Sequence, residues 1–358
     1  MRVLYLSGFH PVLEYDECLL LELIGLEWVS TGIYLNPTLP LPISHLNIRK
    51  PIQSSFNKLQ ESFRQNFLRI NTNYLNKFVR MSRPKVILTK EILQEIDVVF
   101  ATQSTAVMEN WEVLKDKPIV WRTVGSVNST IEAEMTPYVN RGNVFPVRFS
   151  EVEFEALSSN GGVVIRPYVD EDIYNSWSGD AVSILSFLSW FKQRKSLKNV
   201  TAYIQFREEN KDLNFKLYGA FLEKDPLLLG TVNWREQIKL YQNCRGYFYI
   251  GSNIPAPTYN FIEAAMTGLP LVTLGPKLGG HISPKTGKLL HEPADLIKEF
   301  DCGLASDDLS ELALYCRALI NNKNVSTLIS KRSREMALKY FSKKLALIRW
   351  KEFFNNIN

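Results

Sequence analysis

Short apolar runs alternate along this chain with longer stretches whose apolar residues recur every three or four positions. The short runs predict buried strands and the longer stretches amphipathic helices. Val3 to Leu6 is the first strand, followed by the loop Ser7-Gly8-Phe9-His10-Pro11. A helix is predicted over Asp16 to Ile24, stopped by Gly25, and a strand over Glu27 to Tyr34. Residues 37–51 are proline-rich and irregular. Phe56, Leu59, Phe63, Phe67, Ile70, Tyr74 and Phe78 then mark one face of a helix or helix pair. Strand-like runs follow at Asp97 to Ala101, Pro118 to Trp121, Asn143 to Phe149 and Gly162 to Ile165, with helical stretches between them. Strand and helix in alternation predict a parallel, doubly wound sheet.

The alternation restarts after Pro167. Val182 to Leu188, Leu213 to Tyr218, Gly246 to Ile250 and Leu269 to Leu274 read as strands. Arg235 to Gln242 and Phe261 to Thr267 read as helices, the second stopped by Gly268. The prediction is two α/β domains of Rossmann-like type: residues 1–166, and residues 167–339 after a polar linker near 166–180. Tandem domains of this kind face each other across a cleft, with ligands at the carboxyl ends of the strands.

Composition narrows the class. The chain has 358 residues, 45% of them hydrophobic and 22% charged, which excludes disordered, collagen-like and coiled-coil proteins. No apolar stretch approaches the roughly 18–20 residues of a membrane span, and the opening run is too short for a signal peptide. Cys18, Cys244, Cys302 and Cys316 are scattered, so neither a zinc site nor a disulfide framework is expected. These features predict a cytoplasmic protein without a resident metal or tightly bound cofactor. Nothing in the sequence points to a stable protein partner.

Charge changes the picture. Residues 49–90 hold ten basic residues against Glu61 alone, a charge of +9; with a net charge of +5, the remainder carries −4. Such a segment predicts an anionic partner, a phosphate-rich polymer or a membrane surface. Being amphipathic as well, it suits the inner face of a membrane.

The most informative segment is 231–275. A strand feeds the loop Pro255-Ala256-Pro257-Thr258-Tyr259-Asn260, whose amides open a helix carrying Glu263. A helix N-terminus favours phosphate, and a carboxylate one turn in reaches a neighbouring ribose. Glu263-Ala264-Ala265-Met266-Thr267-Gly268-Leu269-Pro270-Leu271-Val272 resembles the donor-binding signature of GT-B glycosyltransferases, in particular the retaining family 4 class. That resemblance implies that a nucleotide diphosphate sugar, UDP-sugar foremost, is the donor and that Glu263 holds its ribose. Val232, Thr258, Tyr259 and Asn260 join Glu263 as candidate donor-binding residues. The family's first glutamate falls eight residues earlier, where this chain has Pro255.

The resemblance extends to other segments. Ile165 to Asp170 looks like the family's turn at the domain junction. Its diphosphate-clamping Arg and Lys align with Trp190 and Lys195, with Arg194 adjacent as a substitute. Gly8 and His10 occupy the family's first loop, and Arg122 stands near the position of its first-domain histidine. The resemblance thus implies catalytic roles for His10, Arg122 and Lys195, and donor contacts for Gly8, Arg194 and Lys195. The last stretch, about 340–358 with Trp350, looks like the terminal helix that crosses back onto the first domain. His281, after Gly279-Gly280, is a weaker candidate. The implied reaction is a retaining, metal-independent transfer to an acceptor hydroxyl. The acceptor is an anionic glycan or glycolipid; DNA with hydroxylated bases is the alternative. A non-catalytic sugar- or polymer-binding protein on the same fold is a further alternative, supported by Pro255 in place of the first glutamate and Val124 in place of the first-domain histidine.

Overall fold

The computed structural model describes residues 1–7, 11–31, 61–63, 65, 87–102, 109–125, 129–156, 161–188, 194–219, 226–252 and 254–357. One sheet holds β1 (Arg2–Ser7), β2 (Glu27–Ser30), β3 (Val98–Thr102), β4 (Ile119–Arg122), β5 (Val144–Arg148) and β6 (Val163–Val164). Their order is β2-β1-β3-β4-β5-β6, all parallel. The helices between these strands are α1 (Pro11–Leu23), α2 (Lys90–Gln94), α3 (Trp111–Leu114), α4 (Ser129–Val139) and α5 (Val152–Ala156).

Successive side chains on a strand point to opposite faces, and both faces here are covered. Leu4, Leu6, Val99, Ala101 and Trp121 pack on Leu93, Trp111 and Met135 from α2, α3 and α4. Val3, Tyr5, Val98, Phe100 and Val120 pack on Tyr15 and Cys18 of α1, and on Trp350 and Phe354 from the chain's last helix. The Trp350 and Phe100 rings lie 5.1 Å apart. Burying a side chain such as Phe354 is worth about 1.5–3 kcal/mol.

The second sheet holds β7 (Ala181–Phe187), β8 (Phe215–Tyr218), β9 (Cys244–Tyr249) and β10 (Leu271–Leu274). After a hairpin of β11 (His281–Ile282) and β12 (Leu289–Leu290), it is completed by β13 (Gly303–Ser306). Its order is β13-β10-β9-β7-β8, again all parallel. The helices are α6 (Lys198–Glu209), α7 (Trp234–Asn243), α8 (Tyr259–Thr267), α9 (Pro276–Gly279), α10 (Glu292–Phe300), α11 (Leu309–Asn321), α12 (Lys323–Phe341) and α13 (Lys343–Asn356). Leu185, Tyr247 and Leu271 face α8 and α12, whereas Ile184, Phe248 and Val272 face α6 and α11. Two doubly wound sheets across a cleft are the architecture expected from the sequence.

Local differences have physical reasons. The first helix starts at Pro11, five residues before the predicted start. Proline is favoured in the first turn of a helix. Its Glu14, Asp16 and Glu17 are buried, which disguises the inward face as polar. Gly268 ends α8 in the left-handed region, at φ 95°. A Cβ there would stand 2.9 Å from Ser330 Oγ, so glycine is required on both counts. The predicted amphipathic stretch over Phe56 to Phe78 lies outside the described residues except 61–63 and 65, where Phe63 is buried in the first core.

Candidate functional site

Strand β7 has β8 on one side and β9 on the other, so the second sheet changes direction between β7 and β9. A crevice opens at such a switch point beyond the carboxyl ends of the strands. Here the ends supply Phe187 and Leu188, Tyr218 and Gly219, and Tyr249, Gly251 and Ser252. They line a cavity of about 400 Å³. The opposite wall comes from the first domain and the linker: Val12, Leu13, Val124, Phe149 and Pro167. Val232, Thr258, Tyr259, Asn260, Glu263 and Arg194 all line this cavity.

Glu263 is held by three side-chain donors. It stands on the second turn of α8 and is 4% exposed. Its Oε1 accepts from the Tyr174 hydroxyl at 2.8 Å. Its Oε2 accepts from Gln237 Nε2 at 3.0 Å and from the Tyr241 hydroxyl at 3.1 Å. Trp234 Nε1 in turn donates to the Tyr174 hydroxyl at 2.9 Å. Burial first, then the Glu263 charge, push the Tyr241 phenol well above its ordinary range. Tyr241 therefore stays protonated and a donor. The carboxylate does not project freely into the cleft, as a simple reading of the sequence suggests; a cage of donors fixes it in the cavity wall. Sequence reasoning does not reveal the cage, though Trp234, Gln237 and Tyr241 recur at helical spacing on one face of α7 and are all buried.

Thr258 is the N-cap residue of α8, with extended backbone at φ −92° and no side-chain cap hydrogen bond. Its carbonyl takes the first intrahelical bonds, from Phe261 N at 3.0 Å and Ile262 N at 3.1 Å. The amides of Tyr259 and Asn260 belong to the positive end of the helix, and both residues line the cavity. Arg194 brings a full positive charge to the same rim. Lys195 is exposed and is not among the residues lining the cavity.

Arg122 departs from the sequence expectation. It is 1% exposed, and its guanidinium lies behind the cleft wall. Nε donates to Glu17 Oε1 at 2.9 Å, and NH1 donates to the Arg148 and Ile165 carbonyls at 3.0 and 2.5 Å. The Phe149 ring, which does line the cleft, covers it at 4.3 Å. A guanidinium with these partners is committed to the scaffold, so Arg122 is a support for Phe149. Gly8, His10 and Trp190 lie outside the described residues. His281 Nε2 lies 3.0 Å from the Ser252 carbonyl on the cavity loop, and burial lowers its pKa. Among the described residues, no group of three or more His, Cys, Asp or Glu converges as a metal site. No helix among them is long and apolar enough to cross a membrane.

No protein-family model matches the sequence, and no curated protein does. Solved structures match over nearly the whole chain. A glycosyltransferase from Rickettsia africae aligns at TM-score 0.61 and 13% identity, covering 99% of this chain and 98% of its own. HepE of Anabaena, in complex with UDP and glucose, aligns at TM-score 0.58 and 14% identity, covering 99% of each chain. The spinosyn rhamnosyltransferase SpnG aligns at TM-score 0.52 and 11% identity, covering 99% of this chain and 100% of its own. The fold is therefore that of GT-B glycosyltransferases.

Proposed function

We propose that this chain is a glycosyltransferase that takes a sugar from a nucleoside diphosphate donor and passes it to an acceptor hydroxyl. One observation carries the reading: Glu263, the N-terminus of α8 and Arg194 converge on one cavity at the switch point of the second sheet. A carboxylate has about four acceptor sites, enough to take a ribose hydroxyl beside the Tyr174, Gln237 and Tyr241 donors. The helix amides and Arg194 suit the diphosphate, whose charge grows as it departs. Lys195, next in the chain, adds positive charge to that side. Gly8 and His10 follow directly on β1 and are assigned to the first-domain side of the reacting centre.

The donor nucleoside is read as uridine, supported by the UDP complexes of HepE. The transfer is read as retaining and metal-independent, supported by the 263–272 signature and by the basic residues Arg194 and Lys195 on the second-domain side. The acceptor is read as an anionic glycan or glycolipid at the inner membrane face, supported by the +9 charge of 49–90. A non-catalytic sugar-binding protein is the second reading, favoured by Pro255 in the cavity loop.

Calorimetry with UDP, GDP and ADP, then with their glucose esters, tests the donor. UDP is expected to bind tightest and to raise the unfolding midpoint by linkage. If no nucleotide binds, the glycosyltransferase reading fails; binding of a nucleotide sugar with neither hydrolysis nor transfer selects the second. Anionic vesicles and duplex DNA at low salt test the acceptor. Binding to neither refutes an anionic acceptor.

A further inference from the structure

The two walls of the cleft meet at one buried side chain. Glu292 opens α10 in the second domain and is 6% exposed. Its Oε2 accepts from Ser150 Oγ of the first domain, and its Oε1 lies 2.6 Å from Arg166 NH1 of the linker. Its backbone N–H donates to the Pro255 carbonyl at 3.0 Å. Each partner adjoins a stretch that lines the cleft. Ser150 follows Phe149, Arg166 precedes Pro167, and Pro255 follows Ile254. Glu292 thus touches the first-domain wall, the linker and the second-domain loop at once.

Its surroundings make the tie short. Val152, Ala256 and Leu290 close an apolar contact between the domains beside it. Ser283 Oγ donates across the same junction to the Glu155 carbonyl at 2.7 Å. A Cβ on Gly125 would stand 2.6 Å from Ala256 Cβ, so backbone and side chain already touch there. Behind Glu292 lies a second cavity of about 690 Å³, lined by both domains, and Pro167 borders both cavities. A contact with open space on either side is placed as a fulcrum is.

We propose that Glu292 is a positioning residue that fixes the spacing between Phe149 and the 254–257 loop, and thereby the width of the cleft. Domains joined by small interfaces move relative to each other by default. A buried carboxylate with a charged partner and a hydrogen bond restrains that motion in distance and direction. Displacements of about 1 Å at a reacting centre cost about 10²-fold in rate, so cleft width governs transfer. The functional consequence rests on the glycosyltransferase reading; the mechanical one does not.

The test uses the full chain with spin labels on Ala133→Cys in the first domain and Lys211→Cys in the second, both exposed positions. The four native cysteines are buried, so the labels go to the introduced pair. Pulsed electron–electron resonance should give a narrow distance distribution with Glu292 present. Glu292→Ala should shift or broaden it by half or more. Glu292→Gln, which keeps an acceptor for Ser150, and Ser150→Ala should fall between. UDP affinity measured in the same variants should change less than twofold, since the assigned nucleoside contacts lie within the second domain. An unchanged distribution in Glu292→Ala overturns the proposal. Should Glu292→Ala not fold, Glu292→Gln and Ser150→Ala decide it, and wild-type distances in both overturn it. Failure of the parent protein to bind UDP overturns the donor reading instead and leaves the distance result to judge Glu292.

Discussion

The two walls of the cleft divide their labour by where charge is kept. The described first-domain side of the cavity is apolar: Val12, Leu13, Val124 and Phe149. Its charges lie behind it, as the buried pairs Glu17–Arg122 and Glu132–Arg148. The second-domain side carries Arg194, Gln237, Tyr249, Thr258, Asn260 and Glu263 on the cavity surface itself. At the cavity itself, the first domain uses buried charge to brace the wall, whereas the second sets the buried Glu263 into it. Residue type alone therefore does not separate a bracing group from a ligand-facing one. What its polar atoms touch does.

The largest expected effect comes from breaking the brace. Removing one partner of a buried pair leaves the other charge stranded, at a cost of about 3–5 kcal/mol. Arg122→Ala should lose that much in urea unfolding, because Glu17 would keep a buried carboxylate without its cation. Replacing both, as Arg122→Met with Glu17→Leu, should recover most of the loss. If Arg122→Ala instead left stability intact and abolished donor turnover, Arg122 would belong to the cleft and the contrast between the walls would break.

The second domain has its own buried titratable group behind the wall. His291 is 3% exposed, and neither ring nitrogen has a hydrogen-bond partner among the described residues. Burial, then the nearby His281, lowers its pKa from 6.5 to about 4. The folded state therefore holds the neutral ring, while the unfolded chain takes up a proton first as pH falls. Stability from this group is complete above pH 6.5 and is lost as pH falls through 6.5 to about 4. The full loss is about 3 kcal/mol, at 1.36 kcal/mol per pKa unit. His291→Phe should flatten that part of the stability–pH curve. Glu17, Glu153 and Glu292, raised foremost by burial, act in the opposite direction, so the wild type must be compared with the variant at each pH. Parallel curves would show that His291 is solvated.

Next in size is Glu263. Glu263→Gln should weaken UDP binding by about 1.5–3 kcal/mol, the range for a hydrogen bond to a charged group. Glu263→Ala should do the same and should also destabilise the fold, since Tyr174, Gln237 and Tyr241 would lose their shared acceptor. A variant that lost stability but kept its UDP affinity would make Glu263 a brace like Glu17.

The fold was largely legible because parallel strands covered on both faces read as short, continuous apolar runs. The runs Asp97 to Ala101 and Leu269 to Leu274 show it: the observed strands, Val98–Thr102 and Leu271–Leu274, lie within one and two residues of them. The start of α1 was not legible, because Glu14, in the missed first turn, looks solvent-facing in a sequence and is buried in the molecule. The second-domain side of the cavity was legible from Thr258 to Gly268, where a strand, a loop and a helix N-terminus are contiguous. The cage around Glu263 was not, because Tyr174 lies 89 residues before it. Arg122 was misread for a related reason: its partner Glu17 is 105 residues away. Pairings over such separations follow from sheet order, which sequence periodicity does not encode.

The smallest expected effect separates two neighbours. Arg194 lines the cavity near the N-terminus of α8, whereas Lys195 is exposed and outside the lining. Both carry the same charge, so long-range attraction to a diphosphate treats them alike. Solvent screens it for both, over about 8–10 Å at ordinary ionic strength. Only a group in contact adds a charge-assisted hydrogen bond, and a planar guanidinium adds it with a preferred geometry. Arg194→Ala should therefore weaken UDP by about 1.5 kcal/mol, the low end of the charged hydrogen-bond range for a half-exposed group. Lys195→Ala should stay within about 0.5 kcal/mol, as surface substitutions do. Uridine without phosphate should bind both variants as it binds the parent, which ties any loss to the diphosphate. The reverse ranking, with Lys195→Ala the weaker binder, would move the phosphate outward to the rim. The positive groups of the second-domain wall would then act by field rather than by contact.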